Sequence, residues 1–166
     1  MVSSLHVKCV AAVAATAIAG SVAYASPPSN WSGQLLVAAH FTETALINSE
    51  RIKFQTKEPT DTQAVKLTWG ANGNSGWHHH PGMVIVQVAS GLINVTRVLR
   101  GQCETTVYGV GSPNGSTFTE GEAMHVGTSA AGAVAYATAI IKAGAPGRID
   151  DEVPACATNF AVRKVK

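Results

Sequence analysis

Three consecutive histidines, His78, His79 and His80, are the residues of this sequence best suited to chemistry. They follow Gly76-Trp77, precede Pro81-Gly82 and lead into the apolar run Met83-Val84-Ile85-Val86. In a β-strand successive side chains point to opposite faces. His78 and His80 therefore share one face, and His79 takes the other as a surface or supporting residue. Two imidazoles two positions apart on a rigid element can grip one metal ion. The sequence offers no Ser-His-Asp or Cys-His set for nucleophilic catalysis, and no carboxylate pair of the glycosidase kind. Glu120 and Glu122 read as solvated loop carboxylates.

A two-histidine grip needs an element that holds both rings still, and the surrounding pattern supplies strands. Residues 34–40, 51–56, 63–69, 83–89, 92–99 and 104–109 are short and apolar or alternating, and Gly, Pro, Asn and Ser clusters punctuate them. Ser90-Gly91 reads as a tight turn between two of these strands, and residues 127–131 as a small, flexible stretch. Residues 26–33 read as a loose entry segment and residues 42–49 carry weak helical character. The run at residues 133–142 is rich in alanine. Its Val, Tyr, Thr and Ile content and its place after a series of strands favour strand over helix. Many short strands with closely spaced turns predict an all-β sandwich or barrel. The loop Gly70-Ala71-Asn72-Gly73-Asn74-Ser75-Gly76 is not a phosphate-binding loop, since it lacks the Gly-Lys-Ser/Thr ending.

Composition narrows the partners. The chain has 166 residues, a formal net charge of +2 and only 13% charged residues. That leaves no basic patch for nucleic acid and no polybasic membrane segment. The first 25 residues read as a secretory signal peptide: Lys8, a small apolar run, then Ala23-Tyr24-Ala25 as the cleavage pattern. The run is too short and too alanine-rich for a good membrane span, so the expectation is an exported chain free of the membrane once cleaved. Cleavage removes Cys9 and leaves Cys103 and Cys156, which in an exported domain are expected to pair. The organisation expected is a signal peptide over residues 1–25, an N-terminal segment over 26–48, a barrel domain over 49–150, and a tail over 151–166 tied back by the disulfide.

The stretch Gly76-Trp77-His78-His79-His80-Pro81-Gly82, with its apolar strand and Ser90-Gly91, resembles the first motif of the cupins, more closely that of small exported bacterial members. His78 and His80 match the paired histidines of that motif and Gly91 its closing glycine. Val84 stands where the motif carries a glutamate. The second motif begins at Gly121-Glu122. Strict counting then puts Gly127, Ser129, Gly132 and Tyr136 at its Pro, Gly, His and Asn. A shortened hairpin instead puts His125 at the histidine and Ser129 at the asparagine. The resemblance implies a single-domain jelly-roll β-barrel, often a homodimer, whose metal site is His78, His80 and His125 without the carboxylate under the second count, or only the two histidines His78 and His80 under the first. Zn, Fe, Cu, Ni or Mn is the implied ion, and loss of the glutamate disfavours oxygen-preferring Mn. Val84, Val86 and Trp77 would wall a small-molecule pocket beside it. Two functions follow: a pocket that binds a small molecule and a metal, or a metal-dependent enzyme of the dioxygenase or isomerase kind.

Overall fold

The structure is a computed structural model and describes residues 26–158. The expected signal peptide, residues 1–25, and the last eight positions of the tail lie outside the described residues. The chain forms β1 (Ser29–Phe41), β2 (Leu46–Asn48), β3 (Lys53–Gln55), β4 (Thr60–Asn74), β5 (His78–His79), β6 (Gly82–Leu99), β7 (Gln102–Gly109), β8 (Thr117–Glu120), β9 (His125–Ser129), β10 (Ala133–Lys142), β11 (Ile149–Asp150) and a short helix α1 (Ala155–Thr158). The expected all-β jelly-roll barrel is what they build. β1, β4, β10 and β6 lie side by side and antiparallel. β9 pairs both with β6 and with the end of β4, which closes the circuit.

The expected tight turn at Ser90-Gly91 is a bend inside one 18-residue strand, β6. Its inward side chains change phase there, from Val84, Val86 and Val88 to Ile93 and Val95. The β10 pairing slips at the same level. Gly91 has φ 77°, and a Cβ on it would lie 2.2 Å from the Gly132 carbonyl oxygen. Only glycine fits such a bulge. The bend lets one strand serve both sheets: its first half pairs with β10 and β8, its second with β7 and β9.

Three other local expectations change. Strand structure begins at Ser29, because β1 pairs along β4 from Ser29 to Phe41. Residues 42–49 hold a strand, since Leu46–Asn48 pairs with Lys53–Gln55 in a separate hairpin. Residues 127–129 belong to β9, where Gly127 receives the Trp69 indole N–H on its carbonyl at 2.9 Å. The alanine-rich run is strand β10, with Ala133, Ala135, Ala137, Ala139 and Ile141 buried and Tyr136, Thr138 and Lys142 outward. Small inward side chains on a central strand leave space that larger ones would fill. Cys103 on β7 is bonded to Cys156 in α1 with Cα atoms 5.5 Å apart, closing a loop of sequence separation 53. In the chain-entropy model such a link contributes on the order of 4 kcal/mol.

Candidate metal centre and cavity

The alternation of β5 acts as the sequence leads one to expect. His78 and His80 turn inward, 5% and 8% exposed, while His79 turns out and donates from Nδ1 to Asp151 at 2.9 Å. Pairing then brings two further residues to the same place. His125 on β9 is the cross-strand partner of His78 and is 1% exposed. Glu120, at the end of β8, is the cross-strand partner of Val84 on β6, and its side chain is 9% exposed. The carboxylate missing from position 84 thus arrives on the neighbouring strand at the same level. This corrects two expectations: Glu120 is not a solvated loop residue, and the histidines are not without a carboxylate. One ligand atom from each of His78, His80, Glu120 and His125 lies within 4.8 Å of the others.

The ring orientations are fixed from behind. Nδ1 of His78 lies 2.8 Å from the Gly76 carbonyl, that of His80 2.7 Å from Gly147, and that of His125 2.7 Å from Ala123. A carbonyl can only accept, so in each neutral ring Nδ1 carries the hydrogen and Nε2 the lone pair. Backbone bonds hold the donors in place: His80 N–H bonds to Gly121, and Ser75 bridges β4 to β9 through Gly127. Ser129, the alternative second-motif residue, gives its hydroxyl to the Leu92 carbonyl and lies outside the cluster.

The Nε2 atoms of His80 and His125 each lie 3.4 Å from a Glu120 oxygen. Both are buried without a hydrogen-bond partner among the described residues. Charge-assisted bonds of this kind run to about 2.7–2.9 Å. Burial, the charge of His125 and that of Arg148 push His78 down to about 3, so its ring stays neutral at ordinary pH. Burial alone would raise the Glu120 carboxyl. His125 and His80, when they carry a proton at Nε2, outweigh it and hold the group below the usual carboxylate range. With all three rings neutral, three imidazole lone pairs and one carboxylate converge on one buried point. That donor set is compatible with binding a metal ion.

The cluster opens on a cavity of about 310 Å³ that His78, His80 and Glu120 line together with Trp31, Val65, Leu67, Trp69, Val84, Val86, Phe118, Ala137 and Ala139. Val84 and Val86, the expected pocket residues, are among those lining it. Trp77 is buried but not among the lining residues, because the alternation that turns His78 inward turns Trp77 away. Leu35 both lines the cavity and is 57% exposed, which places it at the mouth. Two charged lining residues are outside the sequence-based expectation, Glu120 and Arg148. Phe118 and Glu120 share one face of β8, but only the pairing of β8 with β6 turns that face to the cavity.

No protein-family model matches the sequence, and no curated protein matches it. Solved structures do. An oxalate oxidase in complex with the substrate analogue glycolate aligns at 17% identity and TM-score 0.45 over 61% of this chain and 56% of its own. The alignment thus spans little more than half of that enzyme. The polyketide cyclase RemF from Streptomyces resistomycificus aligns at 11% identity and TM-score 0.49 over 92% of this chain and 93% of its own. The cupin-2 domain protein Rru_A2000 from Rhodospirillum rubrum aligns at 10% identity and TM-score 0.47 over 84% and 78%. At such identities the likeness is one of fold and carries nothing about chemistry.

Proposed function

We propose that this chain is an exported cupin-type barrel that holds a divalent transition metal on His78, His80, Glu120 and His125 and acts on a small organic molecule in the adjoining cavity. One observation carries the reading: three buried Nε2 lone pairs and a carboxylate face one point, and two of those nitrogens have no other partner among the described residues. Such groups are costly to bury unsatisfied. A cation resolves all four at once. The mixed nitrogen and oxygen set suits Fe, Mn, Ni, Cu or Zn, so Mn returns to the candidates once Glu120 is counted. When bound, the ion supplies Lewis acidity toward an oxygen of the ligand.

The protein's own residues supply the rest. The carbonyls of Gly76, Gly147 and Ala123 hold the rings in one tautomer, and the apolar wall excludes water from the ligand's body. A complete donor set that opens into a cavity favours a metal-dependent enzyme. The dry wall of Val84, Val86 and Phe118 is the observation on the side of a pocket that only binds. Export rests on the leader-like N-terminus and on the Cys103–Cys156 bridge. No helix among the described residues is long and apolar enough to cross a membrane.

Elemental analysis tests the metal. The mature protein, reconstituted in turn with Zn, Cu, Fe, Ni and Mn and then dialysed, is expected to retain about one ion per chain. A His78→Ala/His80→Ala variant is expected to retain none. Absence of stable uptake for every ion would end this reading. Intact mass of the exported product, expected to begin at Ser26, tests the leader.

A further inference from the structure

The cavity carries a second charged group that the metal reading does not use. Arg148, between β10 and β11, lines it alongside His78, His80 and Glu120. Its Cζ lies 5.1 Å from the centroid of the Trp31 ring, and its Nε donates to Asp150 at 2.5 Å. The Trp31 ring and that one bond hold the guanidinium in place. Nη1 and Nη2 remain, both buried and both without a hydrogen-bond partner among the described residues. Asp150 is 51% exposed while the Arg148 side chain is 20% exposed, so the ion pair points outward and the free edge does not. Nη2 lies 3.2 Å from where a Gly76 Cβ would stand, and the Gly76 carbonyl is the one that orients His78. The cation and the cluster are therefore neighbours on one cavity wall.

Arginine stays charged at any working pH, and its donors match a carboxylate in a two-pronged way. A free, buried Nη1–Nη2 edge on a residue that lines a largely apolar cavity is complementary to one anionic head. The remaining lining, Trp31, Leu35, Leu67, Trp69 and Phe118 among it, is complementary to an apolar body. We propose that Arg148 is the residue that selects the ligand, and that the ligand class is a small organic acid with an apolar or aromatic body. Its carboxylate sits on Arg148 and its body fills the cavity next to the His/Glu cluster. The proposal deepens the metal-site reading and rests on it for the place of the reacting end, but the anion grip itself needs only Arg148 and Trp31.

Benzoate and its neutral isostere benzamide are the probes, titrated calorimetrically into zinc-loaded protein, with metal content measured on the same samples. Wild type is expected to bind benzoate about tenfold or more tightly than benzamide, as a charge-assisted contact implies. Arg148→Gln is expected to lose that preference with its zinc unchanged, and Arg148→Lys to keep part of it. Equal affinity for the two probes in wild type would overturn the proposal and requires no variant to fold. So would a preference that survives in Arg148→Gln, or one that disappears only together with the zinc. An Arg148-dependent preference in protein that takes up no metal would sink the metal reading and leave this one standing. Zinc uptake without the preference would do the reverse.

Discussion

The molecule holds two kinds of histidine–carboxylate contact. On the outside, His40 donates from Nδ1 to Asp61 at 2.7 Å and His79 from Nδ1 to Asp151 at 2.9 Å. Both pairs reach solvent, and each is a complete hydrogen bond. Inside, the contacts are inverted. The Nδ1 atoms of His78, His80 and His125 are bonded to backbone carbonyls, and the Nε2 atoms of His80 and His125 face Glu120 across 3.4 Å. The outer rings need nothing further. The inner ones present lone pairs to a carboxylate, an arrangement that repels itself unless something positive stands between. Presence of histidine beside acid is thus uninformative; which ring nitrogen faces the acid, and from what depth, separates a surface pair from a ligand set.

The largest effect expected from that contrast is on metal retention. His80→Ala and His125→Ala should reduce zinc content to background, while His40→Ala and His79→Ala leave it unchanged, by elemental analysis after dialysis. Glu120→Gln, which keeps shape and removes charge, should weaken binding by at least about tenfold to a hundredfold, the range that tuning groups around metals command. Equal losses in the inner and outer variants would erase the distinction.

A smaller effect concerns stability. Ion at about a thousand times its dissociation constant should stabilise the fold by roughly 4 kcal/mol, seen as a rise on the order of ten degrees in the melting temperature. A chelator should reverse the rise, and His78→Ala/His80→Ala should abolish it. Calorimetry with and without chelator measures both.

The smallest effect is the pH response of the metal-free protein. Burial pushes the folded pKa of His78 down to about 3, from the ordinary histidine value of 6.5, so below about pH 6.5 the unfolded chain binds the proton that the folded chain refuses. The stability tied to His78 is fully present above that pH and is lost as pH falls toward 3, by at most a few kcal/mol. Denaturant titrations across that window should show the decline. His78→Gln should flatten it, and an unchanged slope in that variant would deny His78 its buried, neutral state.

What the sequence disclosed about the site was what depends on a single strand. Alternation through His78, His79 and His80 separates inward from outward rings without knowledge of any partner strand, and Val84 follows from the same count. The barrel was legible for a similar reason, since its strands and turns announce themselves locally. The alanines of β10 looked ambiguous because alanine favours helix; burial between β4 and β6 overrides that preference. Glu120 was hidden because its place is a matter of register between β8 and β6, which no local pattern specifies. His125 stood between two motif alignments, and pairing opposite His78 brings it to the cluster. Arg148 lies in a loop whose path depends on β10 and β11 both being docked, so nothing in its neighbourhood marked it as a cavity residue.

The claim that one buried point binds a metal is tested most directly by anomalous diffraction from crystals of metal-reconstituted protein, recorded on both sides of the absorption edge of the ion used. The account predicts a single strong peak among the Nε2 atoms of His78, His80 and His125 and the Glu120 carboxylate, absent from crystals of Glu120→Gln/His125→Ala. A peak beside His79 and Asp151 or His40 and Asp61 instead, or no peak at the buried cluster in fully reconstituted protein, would contradict it.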